Sequence, residues 1–398
     1  MTRLRIPKVM PKPKDFSKIP WTEEFRSKFP THAVEKYLDN GIAEEDLRDF
    51  LFAEKHLDFR KSLVLVEALK NERGIVRNDN EILLTINLPF CEWRCVNCKR
   101  TMYQRSKCTD AFMYYFDALM KEIQFTREII KKKCYLVKAV CFTGNLLALD
   151  EPEIAKILEA CTYTLSEICV ELGNPKFITK SKLEILKKYN VNRIIVNALT
   201  FNTVSLRKLC RRYEFKDIYD YYKLIAKFDF DLSIELGVGV QNEHEIQLGR
   251  NIQLAIELGA SCIDFYSRYC PYSVDNNELT DIKAISEQRK LLEFVNATMQ
   301  KHGYVPYFLY CTEVENGCFE NIGYCLPNKR CKYMEDLREE ISTIIGCGTD
   351  AKTTIVNNLH HTRKSMTNTY DLGQYVFGIE QVLDKKRKFF EQKSLQND

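Results

Sequence analysis

Short apolar runs alternate with longer amphipathic segments through the middle of the chain. The runs that favour β-strands cover 82–88, 137–142, 167–172, 193–197, 232–238 and 262–266. The segments with helical spacing cover 110–132, 151–165, 180–189, 216–227, 243–258 and 281–302. Strands that alternate with helices are typical of a parallel sheet. The pattern therefore predicts an α/β fold, and six consecutive βα units favour a partial (β/α)6 barrel over a doubly wound sheet.

The pattern changes towards both ends of the chain. Residues 1–20 are rich in proline and lysine, which predicts an extended basic leader. Residues 21–76 have helical spacing and predict a small N-terminal helical segment. The six βα units then occupy a core at 77–303. The remaining residues, 304–398, predict a C-terminal α+β extension on the substrate side, which ends in a basic helix near 371–388.

The composition fits a large folded protein and limits its partners. The chain has 398 residues, of which 45% are hydrophobic, so it can bury enough apolar surface to fold. The formal net charge is only +4 and the two signs are interleaved, which argues against a nucleic-acid partner. The longest apolar stretches fall short of the roughly 20 residues that a membrane span needs. The first residues also lack the apolar stretch of a signal peptide. We therefore expect a cytoplasmic protein without a membrane span.

Three of the 16 cysteines follow the first predicted strand at short spacing. Because Cys91, Cys95 and Cys98 are so close in sequence, one loop can present three thiolates to one inorganic centre. Three thiolates suit a 4Fe-4S cluster whose fourth iron takes an exogenous ligand, whereas a structural zinc site needs a fourth protein ligand. The nearest further candidate is Cys108. The spacing therefore favours an iron-sulfur cluster over zinc, and over thiols that only pack.

The sequence around this motif resembles radical S-adenosylmethionine (SAM) enzymes. The resemblance begins with the tripeptide Pro89-Phe90-Cys91, the cysteine spacing and its position after the first strand. It extends from about Pro20 to Lys388. Within the superfamily, the chain is similar to the oxygen-independent coproporphyrinogen III oxidase group, in its coproporphyrinogen dehydrogenase branch of the HemZ type. The segments that carry this similarity include VELGNPKFITKSKLEILKKYNVNRIIVNALTFN, GYVPYFLY, ENIGYCLPNKRCKYM and TIIGCGTDA.

The resemblance implies two cofactors and a reaction. A reduced 4Fe-4S cluster passes one electron to the sulfonium of SAM, which yields methionine and a 5′-deoxyadenosyl radical. That radical takes a β-hydrogen from a propionate side chain, which then loses carbon dioxide and an electron to become vinyl. In haem biosynthesis this chemistry gives protoporphyrinogen IX. The resemblance also implies an anionic tetrapyrrole as the small-molecule substrate and a reductant protein such as flavodoxin or ferredoxin.

The resemblance assigns roles to residues by position. Cys91, Cys95 and Cys98 match the cluster ligands, and Gly144 lies in the turn that approaches the SAM amino group. Glu171 matches a strand-end acid near SAM, and Arg211 matches an arginine that faces it. A carboxylate can bind the ribose hydroxyls, and an arginine can hold the methionyl carboxylate as a forked pair. The structural alternatives are a surface acid for Glu171 and a solvated helix end for Arg211.

Several positions depart from the family pattern. The Gly-rich turn followed by Thr-Pro is replaced by FTGNLL at 142–147, and Thr85 and Asn87 stand where the family has tyrosine and histidine. Two functions stay open. The first is a divergent radical SAM oxidoreductase, which we favour, and the second is a non-catalytic relative that keeps the cluster as a binding or interaction module. Backbone groups available in the turn would support the enzyme, whereas Leu146 and Leu147 filling that space would support the module.

A second set of cysteines occurs in the C-terminal part of the chain. Its members are Cys311, Cys318, Cys325 and Cys331. The gaps are wider than the spacers of about two to four residues in compact metal loops. Free thiols are therefore favoured here, and a second metal centre is the alternative.

Overall fold

A computed structural model describes most of the chain beyond residue 79. The described residues are 80–95, 98, 101–164, 166–173, 175–240, 243–267, 282–314, 317–339, 342–357 and 362–391. The predicted leader at 1–20 and the predicted helical segment at 21–76 lie outside the described residues. The boundary at 303 between core and C-terminal extension remains a prediction.

The described residues form 13 strands, and six of these match the apolar runs predicted from the sequence. The strands are β1 (Glu81–Leu88), β2 (Phe90–Cys91), β3 (Tyr103–Gln104), β4 (Leu136–Gly144), β5 (Glu167–Leu172), β6 (Arg193–Leu199), β7 (Asp231–Gly237), β8 (Ala260–Tyr266), β9 (Val305–Val314), β10 (Gly317–Cys325), β11 (Thr343–Cys347), β12 (Lys352–Asn357) and β13 (Thr362–Thr367). The six strands predicted from the sequence are confirmed as β1 and β4 to β8, each within two residues at either end.

The helices of the described residues include all the segments predicted from the sequence in this part of the chain, together with two that were not predicted. In chain order the helices are α1 (Thr109–Lys132), α2 (Glu151–Ala160), α3 (Lys180–Lys188), α4 (Thr203–Lys208), α5 (Phe215–Ala226), α6 (Glu245–Glu257), α7 (Ile282–Lys301), α8 (Lys332–Glu339), α9 (Leu372–Phe377) and α10 (Ile379–Glu391), of which α4 and α8 were not predicted. Among these helices, none combines the length and apolar character needed to cross a bilayer.

Two predicted helices end differently from the expectation. The helix predicted at 151–165 ends at Ala160, and beyond this end the Cys161 amide and the Thr162 hydroxyl both donate to the Leu158 carbonyl, at 3.1 and 2.8 Å. The single helix predicted at 371–388 is interrupted at Gly378, between α9 and α10. Glycine has a low helix propensity, so a break at this position is favourable.

The chain divides into two compact units. The first contains the described parts of 76–234, 256–260 and 331–398, and its strand order is β13-β12-β11-β1-β4-β5-β6, followed by the first residues of β7. The neighbours from β11 to β6 pair in parallel, whereas β12 and β13 add antiparallel strands at one edge. The α/β fold with a mostly parallel sheet is therefore confirmed.

Burial on both faces explains why the parallel strands could be predicted from apolar runs in the sequence. Strand β1 reads EILLTINL, and its apolar side chains are at most 1% exposed. Strands covered by helices on both faces appear as near-continuous apolar runs. Helix α1 supplies part of this cover, with Phe112, Tyr115 and Leu119 fully buried at helical spacing. All the parallel strands end at one edge of the sheet, which is where ligands bind in such folds.

The second unit contains the described parts of 235–255 and 261–330. Strand β10 pairs antiparallel with β8 on one side and with β9 on the other. Buried side chains of this unit also form hydrogen bonds with one another. The Tyr307 hydroxyl donates to Asp264 Oδ1 at 2.8 Å, and the Tyr266 hydroxyl donates to Glu235 Oε1 at 3.1 Å. These two hydrogen bonds join β8 to β9 and to β7.

Candidate functional site

The loop that carries the three cysteines, here called the cysteine loop (91–98), has a rigid base. Strands β2 and β3 pair in parallel on either side of it, and the Tyr103 amide donates to the Pro89 carbonyl at 2.7 Å. Phe90 is 1% exposed and packs edge-on against Phe112 and Tyr115, with ring centroids 5.0 and 5.2 Å away. The aromatic packing fixes where the loop begins.

The three thiols of the cysteine loop lie within electrostatic reach of one another. All are half-buried, and none forms a disulfide with any described cysteine. The Cys98 amide donates to the Cys95 carbonyl at 3.0 Å, which tightens the turn. Burial raises the pKa of Cys91 and of Cys95, and the charge of Cys98 raises both further. The Arg211 guanidinium opposes this rise at Cys95, so a cation faces the loop.

Trp93 connects the cysteine loop to two other segments. The Lys176 ammonium and the Arg212 guanidinium each lie 5.8 Å from the centre of its ring. Lys176 belongs to a short 3₁₀ turn after β5, and Arg212 lies beyond the end of α4. Each cation is attracted by the negative face of the indole. The loop is thus held against segments that follow β5 and β6.

Gly144 and Glu171 meet at the carboxyl ends of neighbouring strands. Gly144 is the last residue of β4, and its amide donates to Glu171 Oε2 on β5 at 3.4 Å. Gly144 has φ +90°, and an added Cβ would lie 2.2 Å from the Leu88 carbonyl oxygen. Glycine is therefore required here by packing against β1, whatever ligand the turn meets.

Asn145 is a candidate functional residue that sequence reasoning treated only as a departure from the family. Its side chain is 1% exposed, and neither Nδ2 nor Oδ1 has a hydrogen-bond partner among the described residues. A Cβ added to Gly173 would lie 3.4 Å from Asn145 Cβ, so the amide sits beside bare backbone at the end of β5. Buried polar groups without partners are rare because they are costly. A polar ligand at this edge would satisfy both atoms.

The two residues after Asn145 have a structural role. Leu146 and Leu147 are fully buried in a 3₁₀ turn that ends at Ala148. The Lys182 ammonium donates to the Leu147 carbonyl at 2.7 Å, which anchors the turn to α3. The turn therefore combines leucines packed in the core with one unsatisfied amide.

Arg211 is oriented by β6 rather than by solvent. It is 6% exposed and donates one amino group to the Tyr213 hydroxyl at 2.7 Å. Further hydrogen bonds reach the carbonyl oxygen and Oδ1 of Asn197. The buried position differs from the solvated helix end considered for this residue. Its predicted contact with a methionyl carboxylate stays a prediction.

The departures on β1 have partners inside the protein. The Thr85 and Tyr333 hydroxyls lie 2.8 Å apart, and Asn87 Nδ2 donates to the Thr349 carbonyl at 2.5 Å. The Tyr115 hydroxyl donates to the Asn87 carbonyl at 2.6 Å. Residues that replace the family's tyrosine and histidine therefore stabilise the first unit through its own hydrogen bonds.

One C-terminal cysteine belongs to a group that the sequence spacing did not predict. Cys331 Sγ lies 3.8 Å from Glu167 Oε2, and Cys169 is the third member of the group. The gap of more than 150 residues between Cys169 and Cys331 hides this proximity in the sequence.

Comparisons with known proteins agree with the fold. No protein-family model matches the chain. The oxygen-independent coproporphyrinogen-III oxidase-like protein HemZ of Bacillus subtilis is 24% identical over 378 residues, which cover 91% of this chain and 75% of HemZ. The heme chaperone HemW of Bacillus subtilis is 26% identical over 56% of this chain and 61% of HemW. Coproporphyrinogen III oxidase HemN from Escherichia coli, a radical SAM enzyme, has the same fold, with a TM-score of 0.57 and 15% identity over 77% of this chain and 71% of HemN.

Proposed function

Because this chain is a HemN-, HemZ- and HemW-like member of the radical SAM superfamily, we propose that it is a radical SAM oxidoreductase acting on an anionic tetrapyrrole. The reaction proposed is oxidative decarboxylation of a propionate to a vinyl group, as in coproporphyrinogen III dehydrogenation. One observation carries the proposal. The Arg211 guanidinium faces the cysteine loop, and the ends of β4 and β5 bring together three further groups. These groups are the Glu171 carboxylate, the Gly144 turn and the unsatisfied amide of Asn145.

The residues of the cysteine loop fit an iron-sulfur cluster. Cys91, Cys95 and Cys98 would hold it through three thiolates, with one iron left for another ligand. When bound, SAM and the reduced cluster supply a radical able to take hydrogen from an unactivated carbon. Arg211 offsets thiolate charge beside Cys95, which favours cluster binding and eases its reduction. The electron would come from a small reductant protein such as flavodoxin or ferredoxin.

The ends of β4 and β5 fit the polar groups of SAM. Asn145 Oδ1 can accept from an ammonium, and Asn145 Nδ2 can donate to a carboxylate. Glu171 is half-buried and can accept hydrogen bonds from ribose hydroxyls while it keeps the bond from the Gly144 amide. The bare backbone of Gly173 lets a ligand approach this edge closely. These residues would bind and orient the cofactor, and leave the hydrogen abstraction to it.

We expect the wild-type protein, once reconstituted anaerobically with iron and sulfide and reduced, to convert SAM to 5′-deoxyadenosine. Cys95→Ala should reduce production to the level of a protein-free control, because the cluster loses one of three ligands. Cys108→Ala is the matched control, since Cys108 is also half-buried but lies outside the loop. Chromatography of the quenched reaction measures the product, and coproporphyrinogen III is the first substrate to add.

A cluster that forms normally but yields no 5′-deoxyadenosine, with a spectrum that SAM does not change, would contradict the proposal. Such a result would support tetrapyrrole binding without turnover. One structural observation favours this second function. Leu146 and Leu147 lie in the turn where the family has a glycine-rich sequence, and both side chains are buried in the protein core. The similarity to a heme chaperone points the same way.

Asn145→Leu should separate ligand binding from folding. Because the Asn145 amide has no partner, we expect the ligand-free variant to unfold at the wild-type temperature or above it. The affinity for SAM should fall about tenfold, as two hydrogen bonds are lost. Thermal unfolding with and without SAM measures both effects.

The matched control is Asn368→Leu, at an asparagine that is also buried. Asn368 Nδ2 donates to Glu122 Oε1 at 2.9 Å and to the Gly348 carbonyl at 2.8 Å. This control should lose about 1–3 kcal/mol of stability, because it leaves both acceptors short of a donor. Equal destabilisation by the two substitutions would show that Asn145 is structural.

A further inference from the structure

A second group of metal-ligating side chains lies at the opposite end of β5 from Glu171. Glu167 is the first residue of β5, and Cys169 lies two residues further on the same face of the sheet. Cys331 immediately precedes α8. One carboxylate oxygen and the two sulfurs all lie within 4.8 Å of one another. Both cysteines are fully buried. At about 3.3 Å per residue, Glu167 lies about 13 Å and Cys169 about 7 Å from Glu171 along the strand.

We propose that Glu167, Cys169 and Cys331 bind one thiophilic divalent cation, with Zn²⁺ as the expected metal, in a structural site separate from the cysteine loop. Two sulfurs and one carboxylate oxygen are donors that zinc prefers. Bonds of about 2.3 Å to sulfur place two sulfurs of a tetrahedral site about 3.8 Å apart. The side chains therefore need only a small contraction to surround the ion.

The carboxylate is already oriented by neighbouring groups. Arg193 Nε donates to Glu167 Oε1 at 2.8 Å, and the Tyr333 amide donates to Glu167 Oε2 at 3.1 Å. Arg193 is itself held by the Ser233 hydroxyl at 3.0 Å and by Asp231 at 3.6 Å. Such outer hydrogen bonds orient a ligand and are typical of metal sites.

Charge balance removes the objection that a cation would lie near Arg193. The Arg193 guanidinium and the Glu167 carboxylate form an ion pair at 2.8 Å, in which the two charges offset each other. Binding of one divalent ion releases the two thiol protons to solvent and forms two metal-sulfur bonds. The buried charge is the same before and after, so the ion adds no net charge to the interior.

A third thiol borders the site. Cys141 on β4 lies opposite Cys169 in the parallel register and is fully buried. It is the candidate for a fourth ligand, which a structural zinc site normally has. The bound ion would join β5 to the start of α8 and so fix where α8 packs within the first unit.

The test uses the full chain with its cysteine loop occupied. The protein is reconstituted with iron and sulfide, incubated with zinc chloride, desalted with a weak chelator and analysed for both metals. We expect about one zinc per chain in the wild type. Cys169→Ala and Cys331→Ala should lose it, whereas Cys161→Ala, which removes a buried thiol elsewhere, should keep it. Cys95→Ala should also keep its zinc while it loses iron, which separates this site from the proposed cluster.

A second measurement needs no variant and covers the case in which an alanine variant fails to fold. X-ray absorption at the zinc edge of the wild type should show sulfur at about 2.3 Å together with a lighter oxygen scatterer. Zinc should also raise the unfolding temperature of the wild type. A wild type without zinc, retention of zinc by both Cys169→Ala and Cys331→Ala, or a zinc shell without sulfur would overturn the proposal.

Discussion

Lys386→Met is expected to lower the free energy of unfolding by about 3–5 kcal/mol. Lys386 on α10 and Glu122 on α1 form an ion pair at 2.7 Å, and both side chains are fully buried. Removal of the ammonium leaves a carboxylate inside the protein with no opposite charge. Breaking a buried pair by removing one partner costs far more than replacing both, because the remaining charge stays desolvated.

The surrounding hydrogen bonds make this pair the centre of the first unit's C-terminal packing. Glu122 also accepts from the Gly348 amide at 2.8 Å and the Tyr375 hydroxyl at 2.5 Å. The Lys386 ammonium also donates to the Gly346 carbonyl at 2.8 Å. The pair thereby joins α1 and α10 to the end of β11. Its loss should loosen the C-terminal helices from the sheet.

Chemical denaturation of wild type and variant measures the effect. Lys385→Met is the matched control. The neighbouring lysine is exposed, and its one hydrogen bond among the described residues goes to the Thr367 carbonyl at 3.3 Å, so the substitution should change stability by less than about 0.5 kcal/mol. The double replacement Glu122→Gln with Lys386→Met should recover part of the loss, since no unpaired charge remains. A Lys386→Met variant as stable as the control would refute the assigned role.

The difference in stability between wild type and Lys386→Met should also depend on pH, which gives a second measurement of the ion pair. Burial by itself lowers the pKa of Lys386, but the charges of Cys347 and Glu122 outweigh it, so the folded-state pKa is raised above its ordinary value of 10.5. A raised pKa means that the stability is fully present below the unfolded-state value and is lost as pH rises through the folded-state value. The difference between wild type and Lys386→Met should therefore be constant from neutral pH to about pH 9 and shrink in strong alkali.

Gly144→Ala is the second substitution with a large expected effect. It should lower the free energy of unfolding by about 3 kcal/mol or more. The residue has φ +90°, and the new Cβ would lie 2.2 Å from the Leu88 carbonyl oxygen. Backbone cannot yield as a flexible side chain can, so β4 must shift relative to β1. The shift would also move Asn145 and the Glu171 hydrogen bond, so SAM cleavage should fall together with stability.

Gly259→Ala isolates the contact from the conformational strain. Gly259 lies in the same unit and has a similar φ of +79°, but an added Cβ would meet no atom of the described residues within 4 Å. Gly259→Ala should therefore lower the free energy of unfolding by about 1–2 kcal/mol, from backbone strain alone. Denaturation curves of the two variants give the difference. Equal losses would mean that the approach to Leu88 is unimportant.

Much of the fold was predictable because its signals are local. The parallel strands are buried on both faces, so β1 and β4 to β6 appear as short apolar runs in the sequence. The helices between them bury one face and repeat their apolar positions at helical spacing. The cysteine loop was equally legible, because its three thiols and the strand before it are contiguous. These features depend on residues that are close together in the sequence, so they can be predicted from one amino-acid sequence.

Only the tertiary structure decided which distant residues meet. Strand β11 pairs with β1, more than 250 residues away, and no local pattern in the sequence indicates this pairing. The pair of Glu122 with Lys386 and the group of Glu167, Cys169 and Cys331 likewise join distant segments. The same holds for the unsatisfied amide of Asn145, since a lack of partners is a property of the folded surroundings. Periodicity reports how deeply a residue is buried, but packing alone selects the groups that surround it.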